Sequence, residues 1–338
     1  MAAKIAINGF GRIGRLVLRA LIENGRDDLT PVVINDLGSI EANAHLFRYD
    51  SVHGRFPGQV TVDGDTISIH YHGRSCGPIK VCAETDPAKL PFGGVDVALE
   101  CTGHFTKHHA AAQLIAAGAR KVLVSAPCDG ADATVVYGVN EKTIKRDMTV
   151  ISNASCTTNC LGPMVKVLQD AFGIEQGYMV TIHAYTGDQN TIDTLHNDLR
   201  RARAAALSMI PTSTGAARSI GLVIPELKGR LDGVAIRVPT PDVSLISLDV
   251  TLNKGATAAQ INEAMRVASQ GSLRGILDYN TDKLVSVDFT HDPASCIFDA
   301  TQTAVLDGGL VHVVGWYDNE WGFSCRMLDT AAVMASLA

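Results

Sequence analysis

The stretch Gly9-Phe10-Gly11-Arg12-Ile13-Gly14 constrains the fold more than any other. It follows at once on Lys4-Ile5-Ala6-Ile7-Asn8, which reads as a buried strand. A helical pattern comes next, with Ile13, Leu16, Val17, Leu21 and Ile22 on its apolar side. The following apolar run, Pro31-Val32-Val33-Ile34-Asn35-Asp36, ends in an acid 22 residues beyond Gly14. Glycines between strand and helix permit a tight turn and let a pyrophosphate approach the helix N-terminus. An acid at the end of the second strand can accept hydrogen bonds from a ribose. Gly9, Gly11, Gly14 and Asp36 are therefore candidate dinucleotide ligands. The competing reading is a glycine turn that packs helix on strand beside an incidental Asp.

The alternation continues. Ala42 to Tyr49 read as helix, and Gln59–Val62 and Thr66–Ile69 flank Asp63-Gly64 as a hairpin. Val95–Glu100 ends at Cys101-Thr102-Gly103, and Lys121–Val124 ends at Ser125-Ala126-Pro127. In a parallel sheet such strand ends line the ligand crevice, which makes Thr102 and Ser125 candidates for the dinucleotide site or else plain turn residues. After Cys156 the pattern changes to long strands: Tyr178–His183, the pair Gly233–Val238 and Val243–Val250, and Leu310–Tyr317. Helical patterns at 216–223 and 257–268 interrupt them, and a last one covers about 322–336. The expected fold is α/β: a Rossmann-type dinucleotide-binding domain over 1–155, then an α+β catalytic domain on a largely antiparallel sheet over 156–319. The helix within 320–338 is expected to pack back on the first domain.

The chemistry centres on Asn153-Ala154-Ser155-Cys156-Thr157-Thr158-Asn159-Cys160. Small polar residues ahead of Leu161, Met164, Val165 and Leu168 mark a helix N-terminus, where free N–H groups favour a thiolate. Cys156 is either that reactive thiol or, like Cys160, a small buried hydrophobe. A nucleophilic thiol needs a base. His183 is the best placed of eleven histidines, at the end of a strand and before the polar loop Ala184-Tyr185-Thr186-Gly187-Asp188. Arg200-Arg201-Ala202-Arg203, beside Asp198, reads as an anion site or a subunit contact. Pro211-Thr212-Ser213-Thr214-Gly215-Ala216 runs into a helix and could hold a phosphate. Arg237, between Ile236 and Val238, either points outward or is partly buried and wants an anion.

A formal net charge of −6 gives no reason to expect nucleic acid or an anionic membrane as partner. Eight cysteines without framework spacing suggest a reducing cytoplasm, and no signal peptide or membrane span is expected. No His/Cys cluster has zinc spacing, so no metal is expected.

Taken together, Asn8–Arg15, Ala154–Cys160, Leu199–Ala206, Ile210–Ala217, Arg237-Val238-Pro239-Thr240-Pro241 and Trp316–Gly322 resemble the phosphorylating glyceraldehyde-3-phosphate dehydrogenases from end to end. The resemblance implies oxidation of D-glyceraldehyde 3-phosphate to 1,3-bisphosphoglycerate, a reaction of glycolysis and gluconeogenesis, with NAD as cofactor. It implies Cys156 as nucleophile and His183 as its base. Thr186, Arg201 and Arg237 match the substrate-phosphate site; Ser155, Thr157, Thr214, Gly215 and Arg237 match the attacking-phosphate site. Arg12, Ile13, Asp36, Thr85, Ser125 and Asn319 match dinucleotide contacts, and a homotetramer is implied. Two departures stand out. Thr194-Leu195 replaces the Leu-Pro common in NAD-specific members, which with Asp36 implies NAD preference and secondary NADP use. Phe323 replaces a Tyr. The runner-up readings are an erythrose-4-phosphate dehydrogenase and a thiol redox sensor.

Overall fold

Short runs of Val, Ile and Leu between glycine turns extend as strands in the first part of the chain. The computed structural model, which describes residues 2–338, divides into two units. One runs to Ala154 and takes back Ser324–Ala338; the other is Ser155–Phe323.

The first unit is built on a nine-stranded sheet in the order Ala133–Thr134, Val150–Ser152, Lys121–Val124, Val97–Glu100, Ala3–Asn8, Leu29–Asn35, Arg74–Cys82, Thr66–Tyr71, Gln59–Asp63. Neighbours are parallel as far as Arg74–Cys82, and the last two strands join antiparallel, with the Asp63-Gly64 hairpin between them. Successive strands lie on opposite sides of Ala3–Asn8, so the order reverses there, the place where such sheets open a ligand crevice. Gly9 follows that strand with φ +89°, and a Cβ on it would lie 2.7 Å from the Thr102 backbone N. A Cβ on Gly14 would lie 2.1 Å from the Gly9 carbonyl oxygen, so only glycine lets the helix Arg12–Glu23 approach its strand. The returning segment is tied to this unit by Arg26 Nη1–Asp329 Oδ1 at 2.6 Å and by Thr330 Oγ1 donating to Asn153 Oδ1 at 2.8 Å.

The second unit carries an eight-stranded sheet in the order Ile210–Ser213, Leu231–Val238, Ile174–Ala184, Ser244–Leu252, Leu310–Tyr317, Cys296–Asp299, Leu277–Asn280, with Ala304–Val305 added on Leu310–Tyr317. Only two neighbour pairs are parallel, so the sheet is largely antiparallel. Leu231–Val238 and Ser244–Leu252 do not pair with each other, against the expectation from sequence. Ile174–Ala184 lies between them, parallel to one and antiparallel to the other. The link between the two strands carries Pro239 and Pro241, which lack the N–H groups a tight hairpin ladder needs. The helix Cys156–Phe172 buries Leu161, Met164, Val165 and Leu168. Among the described residues no helix is long and apolar enough to cross a membrane.

Candidate active site

The approach to Cys156 is set locally. The strand Val150–Ser152 ends at Asn153, and Ala154 then takes φ +56°, a left-handed conformation that costs a non-glycine residue about 1–2 kcal/mol. Ser155 is extended, and its Oγ accepts the Thr158 N–H at 3.1 Å as a helix cap. Cys156 is thereby the first residue of its helix, beside free N–H groups. Cys160, one turn on, is fully buried.

His183 comes from the strand Ile174–Ala184, and Arg237 is its register partner on Leu231–Val238. The Cys156 Sγ lies 3.4 Å from His183 Nε2. On the other side of the ring, Nδ1 is 2.7 Å from the Ala184 carbonyl oxygen and 2.9 Å from Arg237 Nη1. Arg237 also donates to the Ala184 carbonyl at 3.0 Å and to Thr186 Oγ1 at 3.1 Å. Of the two orientations open to Arg237 in the sequence, the structure has the half-buried one. Burial and then the Arg237 charge lower His183 to about 3, so the ring is neutral. With Nδ1–H on the Ala184 carbonyl, Nε2 turns its lone pair to the thiol. Burial raises the Cys156 thiol, opposed by Arg237 and by hydrogen bonds from the Thr157 hydroxyl and backbone N–H. The resting pair is a thiol and a neutral imidazole, an arrangement that can pass the thiol proton to the ring.

Polar groups gather around Arg237. Thr186 donates to the Asp188 carboxylate, which also pairs with Arg201. Arg201 Nε reaches Thr212 Oγ1 at 3.1 Å. Thr214 Oγ1 accepts the Ala216 N–H at 3.2 Å, and Gly215 precedes the helix Ala216–Val223 with open space where a Cβ would stand. The Thr157 hydroxyl is bonded to Tyr317, and Asn319 Oδ1 accepts from Ser244 Oγ at 2.7 Å. Phe323 is buried.

In the first unit, Gly9, Gly11, Asp36, Thr85 and Thr102 line one cleft of about 420 Å³. Asp36 accepts the Phe10 N–H at 2.8 Å and the Gly38 N–H at 3.0 Å. Arg12 and Ile13 open the helix beyond Gly11, with Arg12 paired to Asp50. Ser125 follows the strand Lys121–Val124, and its N–H donates to the Glu100 carbonyl at 2.9 Å. Of the candidate cofactor residues in this unit, Arg12, Ile13, Gly14 and Ser125 are not among those lining the cleft.

Three groups escaped the sequence reading. Asp188 joins Thr186 to Arg201, although it stood in a polar loop singled out for other reasons. Tyr317 looked like any aromatic residue in a strand; its signal was a phenol that burial obliges to find partners. Under the glycine turn, Glu100 accepts from Asn8 Nδ2 at 2.6 Å and from the Thr102 N–H at 2.8 Å, and Asn35 donates to Asn8 Oδ1 at 2.9 Å. Burial pushes the Glu100 carboxyl up, with those donors opposing.

The chain is similar along its whole length to known proteins. Residues 3–108 match the family model described as glyceraldehyde 3-phosphate dehydrogenase, NAD binding domain, and residues 155–319 match its C-terminal domain. The chain is 61% identical over 339 residues to the glyceraldehyde-3-phosphate dehydrogenase of Xanthobacter flavus and 60% identical over 337 to that of Cereibacter sphaeroides, each along 100% of both chains. Glyceraldehyde-3-phosphate dehydrogenase 1 of Bacillus subtilis is 51% identical over 338 residues, 99% of each chain. With both domain models matched in order and relatives aligned along the whole length, the chain belongs to the glyceraldehyde-3-phosphate dehydrogenase family.

Proposed function

We propose that this protein oxidises D-glyceraldehyde 3-phosphate and phosphorylates it to 1,3-bisphosphoglycerate, with NAD as preferred cofactor. The observation that carries the reading is a thiol at a helix start, 3.4 Å from a neutral, buried imidazole that itself touches an arginine. Cys156 attacks the aldehyde carbon as its proton passes to His183 Nε2. The Cys156 N–H and the protonated ring stabilise the oxyanion of the thiohemiacetal. As hydride departs, the oxyanion closes to a carbonyl, which leaves a thioester on Cys156 and the proton on His183. Inorganic phosphate then attacks and the thiolate leaves. Thr186, Arg201 and Arg237 hold the substrate phosphate; Ser155, Thr157, Thr214, Gly215 and Arg237 hold the attacking one. Phosphate-dependent NAD reduction with glyceraldehyde 3-phosphate tests this; faster turnover of erythrose 4-phosphate would overturn the substrate assignment.

The cleft of the first unit fits NAD. Gly11 leaves open space where a side chain would stand, and the helix after it has no side-chain cap, which suits the approach of a pyrophosphate to its N-terminus. When bound, NAD supplies the two-electron acceptor. Arg12, Ile13, Thr85, Thr102, Ser125 and Asn319 complete its contacts. The Asp36 carboxylate repels a 2′-phosphate, so kcat/KM for NAD is expected to exceed that for NADP by at least about tenfold. Asp36→Ala should narrow that ratio through faster NADP turnover. Equal or greater efficiency with NADP in the parent protein would show that Asp36 does not discriminate. Secondary NADP use accords with Thr194-Leu195.

The loop 185–206 and the residues after it expose Ile192, Leu195, Leu199, Leu207 and Met209, with Leu195 99% exposed. Apolar groups so concentrated suit a subunit contact, and a cytoplasmic homotetramer is proposed. Sedimentation should give about four times the chain mass; a monomer at micromolar concentration would remove this assignment.

A further inference from the structure

Three neighbouring parallel strands of the first unit end level with one another. Asn8 closes Ala3–Asn8 and is the register partner of Asn35 on one side and of Glu100 on the other. All three side chains are buried, Glu100 to 1% exposure. Asn8 Nδ2 donates to Glu100 Oε2 at 2.6 Å, and Asn35 Nδ2 donates to Asn8 Oδ1 at 2.9 Å. This row of side chains is anchored to the backbone at both ends. Asn35 Oδ1 accepts the Glu84 N–H at 2.8 Å, and its Nδ2 also donates to the Glu84 carbonyl at 3.0 Å. Glu100 Oε1 accepts the Thr102 N–H at 2.8 Å and the Thr102 hydroxyl besides.

These anchors leave one choice for residue 100. Backbone donors and acceptors cannot exchange places, so Glu84 fixes which end of the Asn35 amide faces Asn8. That in turn fixes Asn8, whose Oδ1 faces Asn35 and whose Nδ2 faces residue 100. Thr102 presents a second N–H from the other side. Residue 100 must therefore accept at both of its terminal atoms, and among side chains of this length only a carboxyl group does so. A glutamine there would set donor against donor at one junction, whichever way its amide is turned. Flipping Asn8 and Asn35 as well only moves the mismatch to the Glu84 N–H.

The backbone held by this row is that of the dinucleotide cleft. Gly9 follows Asn8, Asp36 follows Asn35, Thr85 follows Glu84, and Thr102 lies two residues beyond Glu100; all four line the cleft. An added Cβ on Gly9 would stand 2.7 Å from the Thr102 backbone N, so a displaced Thr102 displaces the glycine turn. Glu100 is not itself among the residues that line the cleft.

We propose that Glu100 is a positioning residue for the dinucleotide: as the double acceptor between Asn8 and Thr102, it sets the spacing of the three strand ends and so of the groups that meet the pyrophosphate and the ribose. The inference rests on the reading of that cleft as the NAD site.

The test is calorimetric titration of the full chain with NAD, well below the melting temperature of every variant, where a loss of stability alone leaves the affinity unmoved. Glu100→Gln should raise Kd about tenfold, the effect of one buried donor left facing another and passed on to the cleft. Asn8→Asp sets two carboxyl groups against each other and should weaken binding by about as much. The double variant Asn8→Asp/Glu100→Gln transposes the two groups. The new amide donates to the new carboxylate, which still accepts from Asn35, and the amide carbonyl still accepts from Thr102. Its Kd should return to within about threefold of the parent, a rescue that independent losses would not give. A Kd for Glu100→Gln within about twofold of the parent, or a double variant that binds no more tightly than the single ones, would overturn the positioning role. If Glu100→Gln does not fold, the double variant is compared with Asn8→Asp, and equal affinities count against the proposal. A parent chain that binds no NAD sinks the cofactor reading of the cleft and the proposal with it; a parent that binds beside variants that bind alike sinks the proposal alone.

Discussion

Cys156→Ser is expected to lower kcat for phosphate-dependent NAD reduction on the order of 10⁴-fold while leaving the fold and NAD affinity unchanged. Two separate losses make the effect large. A serine hydroxyl is a far weaker acid than a thiol, and His183, held down to about 3, is a weak proton acceptor that cannot compensate. The second loss comes after hydride departs. An oxygen ester on residue 156 resists phosphate attack because an alkoxide is a poor leaving group, whereas a thiolate at the helix start leaves readily. Steady-state NADH formation at saturating phosphate measures the product of both losses. Cofactor titration and thermal melting check that the variant is folded and loaded. A near-normal rate in Cys156→Ser would mean that the sulfur carries no acyl group, and the proposed reaction would fall.

Much of the architecture was open to sequence reading because local rules set it. Gly9, Gly11 and Gly14 between an apolar run and a helical pattern announced the strand–turn–helix, and Asp63-Gly64 announced its hairpin. The helix start at Cys156 was legible for the same reason: a cap is a local device, and Ser155 stands one residue ahead of it. What was not legible depended on partners distant in the chain. The alternation in Leu231–Val238 and Ser244–Leu252 suits either as a neighbour of the other, and nothing in it reveals that Ile174–Ala184 lies between. The same uncertainty hid the side of Arg237. A charged residue on the polar face of a strand reads as solvent-facing until its register partner is known to be His183. Tyr317, Glu100 and Asn8 sit inside runs whose composition says core, and only the tertiary hydrogen bonds separate them from ordinary packing.

His183→Asn is expected to lower kcat by about 10²–10⁴-fold, the usual contribution of a positioned base, and to change the form of the pH dependence. Asparagine can still donate a hydrogen bond to the oxyanion, but it cannot take a proton from Cys156. In the parent, His183 is neutral above about 3, so its titration puts no acid limb on the ligand-free enzyme through the working range. In the variant, thiolate must form by loss of a proton to solvent, and the rate should climb roughly tenfold per pH unit below the thiol pKa. The same residue links pH to stability. Burial and the Arg237 charge depress His183 from 6.5 to about 3, so the native state binds fewer protons than the unfolded chain across that window. Its contribution is fully present above 6.5 and is lost as pH falls toward 3, with a limiting slope of about 1.4 kcal/mol per pH unit. His183→Asn should remove that part of the slope, measured by denaturant unfolding at stepped pH. A variant that kept both the parent pH–rate profile and the parent acid slope would mean that His183 neither accepts the thiol proton nor stays neutral in the folded protein. An anion held by Arg237 would offset the charge that depresses the imidazole, making it a stronger base once phosphate is bound. The parent should therefore pass the thiol proton to His183 more readily at saturating phosphate, while His183→Asn gains no such relief.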